Sequence, residues 1–261
     1  MSALRSSVSV VLALWGWAAS AASVHEQTLV APFRSSVKGI TIPNTHVVSR
    51  EAGFVLRGMR PRDLKEAKQL RRYGVTDVLV FRDNPEGADV IGPELKLLKQ
   101  AGFKSTNVTA IPFRWKNHEN FEKPCRQTIE ALRTLRAVGS TAKRGIFVHC
   151  TVGEDRTGFL AALYRVLYRG EDAQQMYAQE MCARGYADGD PKKPLHVVDN
   201  VHGAVTVLYR KMIYKVAKGS LKASNLDPEE CTRDPAEAKD FASFTQFGRC
   251  EASPLYDPSV K

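Results

Sequence analysis

The chemistry-bearing residues of this chain fall in one unbroken string, His149-Cys150-Thr151-Val152-Gly153-Glu154-Asp155-Arg156-Thr157-Gly158. The string follows an apolar run, Gly145-Ile146-Phe147-Val148, and precedes a segment that is apolar nearly all round. A loop between a strand and a helix can aim several backbone N–H groups at one anion, and the helix N-terminus adds partial positive charge. Cys150 opens the loop. A field that holds a phosphate dianion also stabilises a thiolate, so this cysteine is expected to be acidic and nucleophilic. Arg156 lies near the helix start, where its planar fork can grip two phosphate oxygens at once. Gly153 permits the tight backbone path of a cradle. The phosphate is expected to be held by Thr151, Val152, Gly153, Glu154, Asp155 and Arg156. Thr157 can offer its hydroxyl to the sulfur and help it leave.

The elements around the string must hold it in place. Gly53 to Gly58 reads as a short strand and Val75 to Phe81 as a strong one. Val108 to Phe113 is a further strand, and Gly145 to Val148 a buried one. Pro61 opens a helix with Leu64, Ala67 and Leu70 on one face and Gly74 beyond its end. Shorter or longer helices are expected over 93–102, from Pro124 to Gly139, over 157–169 and over 171–183. Val201, Ala204, Val205, Leu208 and Met212 recur at helical spacing and mark a long final helix. Strands alternate with helices, which predicts an α/β domain with a mostly parallel central sheet flanked by helices. The phosphate loop sits between a central strand and a buried helix.

The string resembles the Cys-x5-Arg signature of the protein tyrosine and dual-specificity phosphatases, in its fuller His-Cys-x-x-Gly-x-x-Arg-Thr-Gly form. By that resemblance Cys150 attacks phosphorus, a phosphocysteine forms, and water releases phosphate without a metal or other cofactor. The resemblance covers residues 51–217 and implies an exported, bacterial-type member. One family feature is missing. An Asp on a separate upstream loop usually protonates the leaving oxygen, and no Asp occurs between Val90 and Glu154. The corresponding stretch, Ile111-Pro112-Phe113-Arg114-Trp115-Lys116-Asn117-His118-Glu119, offers His118 or Glu119 instead. The other candidate is Asp155. An Asp just before the Arg resembles the myotubularin lipid phosphatases and a bacterial branch with Gly-Lys-Asp-Arg-Thr-Gly loops.

The chain has 261 residues and a formal net charge of +10. Such a surface attracts anions. The basic balance favours a strongly anionic phosphorylated substrate. Phosphoproteins, phosphoinositides and inositol polyphosphates are the open classes. Lys192, Lys193 and His196 lie in a polar loop that could extend the substrate rim. No long Lys/Arg run or aromatic-rich basic stripe marks a nucleic-acid module, so no nucleic-acid partner is expected. Nor do His25, His46, His196 and His202 show metal-ligand spacing with carboxylates or cysteines. A thiol redox protein is disfavoured because there is no Cys-x-x-Cys pair. An inactive phosphate-binding module is the non-enzymatic alternative, and the intact Cys150 and Arg156 speak against it.

Residues 1–21 read as a signal peptide: Arg5, an apolar stretch from Val8 to Ala18, then Ala19-Ser20-Ala21. The apolar stretch is too short to span a membrane comfortably, so no stable membrane insertion is expected after cleavage. The mature protein is expected in the periplasm or secreted. Residues 22–50 are expected to form an extended arm and residues 218–261 an irregular tail. Cys125, Cys150, Cys182, Cys231 and Cys250 are an odd set, so one thiol stays free within the chain. A catalytic Cys150 is that thiol. The other four can form two disulfides, with Cys231 and Cys250 in the tail the expected pair.

Overall fold

A computed structural model describes residues 33–84, 88–114, 120–186 and 193–251. Among these residues five strands form one sheet: β1 (His46–Arg50), β2 (Phe54–Gly58), β3 (Asp77–Phe81), β4 (Val108–Ile111) and β5 (Gly145–His149). Their spatial order is β1-β2-β5-β3-β4, and only the β1–β2 pair is antiparallel. The parallel core is therefore β2, β5, β3 and β4, with β5 central and the loop of interest leaving its C-terminal end. Ligands of open parallel sheets bind at that edge.

Alternation along the strands divides the core in two. Val55, Leu79, Ile146 and Val148 face one side; Leu56, Val78, Val80 and Phe147 face the other. The second side is covered by α1 (Leu64–Tyr73) and α2 (Gly92–Gln100), through Ala67, Leu70 and Leu98. Asp63 caps α1 by accepting from the Glu66 N–H, and Gly74 ends it in the left-handed region at φ 103°. The first side is covered by α3 (Glu122–Gly139) and α4 (Asp155–Arg169), through Ile129, Leu132, Phe159, Leu160 and Leu163. Strands buried on both faces need near-continuous apolar sequence, which explains the runs Val78–Phe81 and Ile146–Val148.

Several elements differ from the sequence expectation. His46–Arg50, expected within an extended arm, pairs with β2 and closes one sheet edge. Helix α4 starts at Asp155, inside the signature, because the loop closes into the helix before Thr157. The segment expected as one helix over 171–183 starts as α5 (Ala173–Met176), widens into a π-helical turn at Tyr177–Met181, and ends as a 3-10 turn at Cys182–Arg184. The last long helix is likewise interrupted. It runs as α6 (Leu195–Val201), a π-helical stretch at His202–Thr206, and α7 (Val207–Ala217). No helix among the described residues is long and apolar enough to cross a membrane.

The segment after α7 has short 3-10 turns at Pro228–Thr232 and Pro235–Glu237 and buries Leu221, Leu226 and Phe247 against the first-side core. Two disulfides fasten it, and they are not the expected Cys231–Cys250 pair. Cys125 joins Cys231, and Cys182 joins Cys250. The reason is spatial. Arg133 of α3 donates to the Leu226 carbonyl and Arg126 pairs with Glu229 at 3.0 Å, which lays the 228–232 turn along α3. Gln174 donates to the Gln246 carbonyl at 2.8 Å and Tyr177 to the Gly248 carbonyl at 3.1 Å, which lays residues 246–248 along α5 and the π-helical turn. The two tail cysteines therefore meet two different helices. The odd count left one thiol free, and it is Cys150.

Candidate active site

Residues 150–154 turn from β5 into α4. Gly153 has φ 75°, and a Cβ there would lie 2.3 Å from the Gly58 carbonyl carbon, so only glycine fits. A Cβ on Gly158 would lie 2.7 Å from the Glu180 carbonyl oxygen; its absence lets α4 pack directly on the π-helical turn. His149 is fully buried at the end of β5. Its Nδ1 lies 3.0 Å from the Cys150 carbonyl oxygen, so this nitrogen carries the proton and donates. Its Nε2 lies 3.2 Å from one oxygen of the Glu94 carboxylate, and the other oxygen accepts from Arg82 at 3.1 Å. Burial pushes the imidazole pKa down, leaving the ring a neutral clamp on the Cys150 backbone.

The Cys150 thiol is buried. Burial pushes its pKa up, but the Arg156 charge pulls it down, as do the Thr157 hydroxyl and backbone N–H. Asp155 opposes them, and the net shift is below the ordinary thiol value. Thr157 is fully buried, and among the described residues its hydroxyl has no partner other than the sulfur it faces. Arg156 is tethered loosely, with Nη1 3.4 Å from the Phe113 carbonyl and Nη2 3.4 Å from the Thr151 hydroxyl. Its buried Nε has no hydrogen-bond partner among the described residues. The guanidinium is thus aimed across the loop, with donor capacity left for an anion.

Asp155 is the first residue of α4 and is partly exposed. His118 and Glu119 lie outside the described residues, as does Lys192. Phe113, two residues after β4, touches Arg156 through its carbonyl. Lys193 pairs with the buried Glu154 carboxylate at 3.1 Å. One basic residue of the expected rim is thereby spent within the loop, while His196 stands exposed at the start of α6.

Sequence reading missed the layer beneath the loop. Arg57 is fully buried, and its Nη2 donates to the Gly153 carbonyl at 2.7 Å. Asn44, buried with φ 55°, donates through Nδ2 to the same carbonyl at 3.0 Å. Glu180 anchors Arg57 through its carboxylate at 3.1 Å and through its backbone oxygen. A charged residue within the short apolar run Phe54-Val55-Leu56-Arg57-Gly58 was the one signal available, since a charge on a buried strand must have a partner.

A model of the tyrosine phosphatase family matches residues 39–173, more than half of the chain. The chain belongs to the tyrosine phosphatase family. Within this family, the dual specificity protein phosphatase TpbA of Pseudomonas aeruginosa is 37% identical over 62 residues, which are 23% of this chain and 28% of TpbA. The matched segment is thus well under two thirds of that relative's length. Among solved structures, the crystal structure of P. aeruginosa TpbA gives a TM-score of 0.44 at 23% identity, covering 69% of this chain and 95% of that one. The core catalytic domain of the PP-IP phosphatase Siw14 from S. cerevisiae gives 0.42 at 19% identity, covering 69% and 95%. The phosphatase match ends at residue 173, so the π-helical turn, the last helices and the disulfide-fastened segment lie beyond it.

Proposed function

We propose that this phosphatase is a metal-independent phosphomonoester hydrolase that works through a phosphocysteine on Cys150. The observation that carries the reading is the buried thiol whose pKa is lowered by Arg156 and Thr157 at the start of a strand-to-helix loop. The Cys150 thiolate attacks phosphorus, an S–P bond forms, and the P–O bond to the leaving oxygen breaks. Arg156 binds the equatorial oxygens in the ground state and transition state. The leaving oxygen takes a proton from Asp155, or from His118 or Glu119 if the acid belongs to the loop after β4. Water then attacks phosphorus and gives its proton to the same carboxylate or imidazole. The S–P bond breaks, the thiolate is received by the Thr157 hydroxyl, and inorganic phosphate leaves.

The net charge of +10 favours a strongly anionic substrate, such as an inositol polyphosphate or phosphoinositide, over a singly phosphorylated peptide. The paired disulfides favour an oxidising compartment, consistent with export to the periplasm or beyond. Cys150→Ser should abolish turnover of all substrates while vanadate still binds. Wild-type activity should rank inositol polyphosphate above phosphotyrosine peptide, with the preference shrinking as salt screens exposed charge. A fully active serine variant would end the cysteine mechanism, and a salt-independent preference for the peptide would end the polyanion reading.

A further inference from the structure

The phosphate loop rests on a buried polar layer whose members come from three separate parts of the chain. The Gly153 carbonyl is gripped from beneath by the Arg57 guanidinium at 2.7 Å and the Asn44 amide at 3.0 Å, and a second Arg57 contact reaches the Glu154 carbonyl at 3.4 Å. A trans peptide is planar, with its N–H opposite its carbonyl. Tying the Gly153 oxygen outward therefore turns the Glu154 N–H inward, toward the concave side of the loop. A loop of five residues with a glycine at φ 75° has no intrinsic reason to hold that orientation, because glycine also tolerates the flipped peptide.

Register places Arg57 there. In β2 it pairs with Val148, and it shares a face with Val55, so it points toward α4 rather than α1. Its partner Glu180 lies in the π-helical turn Tyr177–Met181, where irregular backbone leaves the Glu180 carbonyl able to accept from Arg57. The Glu180 carboxylate also accepts from His46 at 3.0 Å and Arg165 at 2.7 Å. Asn44 ties the Gly153 carbonyl to the Arg184 carbonyl at 2.9 Å through the same amide nitrogen. A buried cation placed only for stability would be a poor choice, since apolar replacements of buried ion pairs are often neutral or better. Here Nη1 of the cation is spent on Glu180, and Nη2 ends on the two loop carbonyls.

We propose that Arg57, seated on Glu180 and assisted by Asn44, is the positioning residue that holds the Gly153–Glu154 peptide with its N–H toward the substrate phosphate. The proposal rests on the phosphocysteine reading. Asn44→Gly keeps the left-handed backbone and removes one donor; Arg57→Lys keeps the charge and removes the fork. Each is compared with wild type on an aryl phosphate, at a temperature where thermal melts show it fully folded. Vanadate affinity and the pH profile of Cys150 alkylation are measured alongside. Expected losses in kcat/KM are roughly tenfold for Asn44→Gly and roughly 100-fold for Arg57→Lys, since the loop N–H groups act as preorganised donors. Vanadate affinity should weaken in the same order and the thiol pKa should rise. Lower melting temperatures with unchanged kcat/KM, vanadate affinity and thiol profile would overturn the positioning role and leave the phosphatase reading intact. Should Arg57→Lys fail to fold, Asn44→Gly decides alone. A wild-type chain that neither turns over the aryl phosphate nor binds vanadate would overturn both.

Discussion

In the proposed mechanism, Cys150 and Asp155 define the chemistry at the smallest scale. Both are near the start of α4, and the Asp155 charge acts against the thiolate. A carboxylic acid so placed is useful only while it keeps its proton, and general-acid help matters most for a poor leaving group. Asp155→Asn should therefore slow an alkyl phosphate by about 100-fold while barely touching a nitrophenyl phosphate, because general acid–base steps are typically worth 100-fold or more. Parallel assays of His118→Ala and Glu119→Gln locate the acid. A leaving-group-dependent loss in either of these, with none in Asp155→Asn, would put it on the loop after β4. At this scale the sequence was most legible. The proposed roles of Cys150, Arg156, Thr157 and Gly153 could be read from the sequence because loop chemistry is local: each would act through its place in one ten-residue string. Those of Asn44, Arg57 and Glu180 could not, because they come from register and packing between segments 96 to 140 residues apart.

Elements carry the electrostatics that support the loop. Burial dominates at His46, with help from the Arg57 and Arg184 charges, and lowers its pKa to about 4 from 6.5. His46 is thus a neutral donor to Glu180 at neutral pH. Burial opposes ionisation of Glu180, yet the His46 hydrogen bond and the Arg57 charge hold its carboxyl well below the usual range. Both folded-state pKa values are depressed, so the unfolded chain binds more protons and stability falls as pH falls. For His46 the window runs from about pH 6.5 down to about 4, and a shift of this size contributes up to about 3 kcal/mol. Urea unfolding of wild type should show this decline, and His46→Gln should flatten it. Identical pH slopes in the two would mean that His46 is not the titrating group. The parallel strands and α1, α3 and α4 were predictable from apolar periodicity and from Gly74 and Gly139 at helix ends. The π-helical turns were not, because a one-residue widening leaves the 3.6-residue pattern almost unchanged. It becomes visible only through what the displaced carbonyls contact.

Over the whole molecule, the two disulfides fix how the C-terminal segment closes around the helices. Cys125–Cys231 spans 106 residues and Cys182–Cys250 spans 68. Loops of this length give a chain-entropy stabilisation of roughly 4 kcal/mol each in the simplest model. Peptide mapping without reductant should recover these two links with Cys150 unpaired, and reduction should lower the melting temperature markedly. A Cys231–Cys250 link would contradict the packing of the 228–232 turn on α3. Sequence proximity pointed to the wrong pair, because two cysteines in one tail can each be nearer to a helix than to one another. The charge of +10, by contrast, was legible from composition alone, and it frames the substrate proposal without fixing it.

The central claim is a covalent one: phosphate passes through the Cys150 sulfur. The most direct measurement is acid quench of the wild-type enzyme in mid-turnover, followed by mass spectrometry of the peptide containing residues 145–156. The account predicts a phosphate bound to Cys150 that disappears on longer incubation and never forms in Cys150→Ser. Steady turnover with no phosphate on this peptide, or with phosphate on another residue, would contradict it.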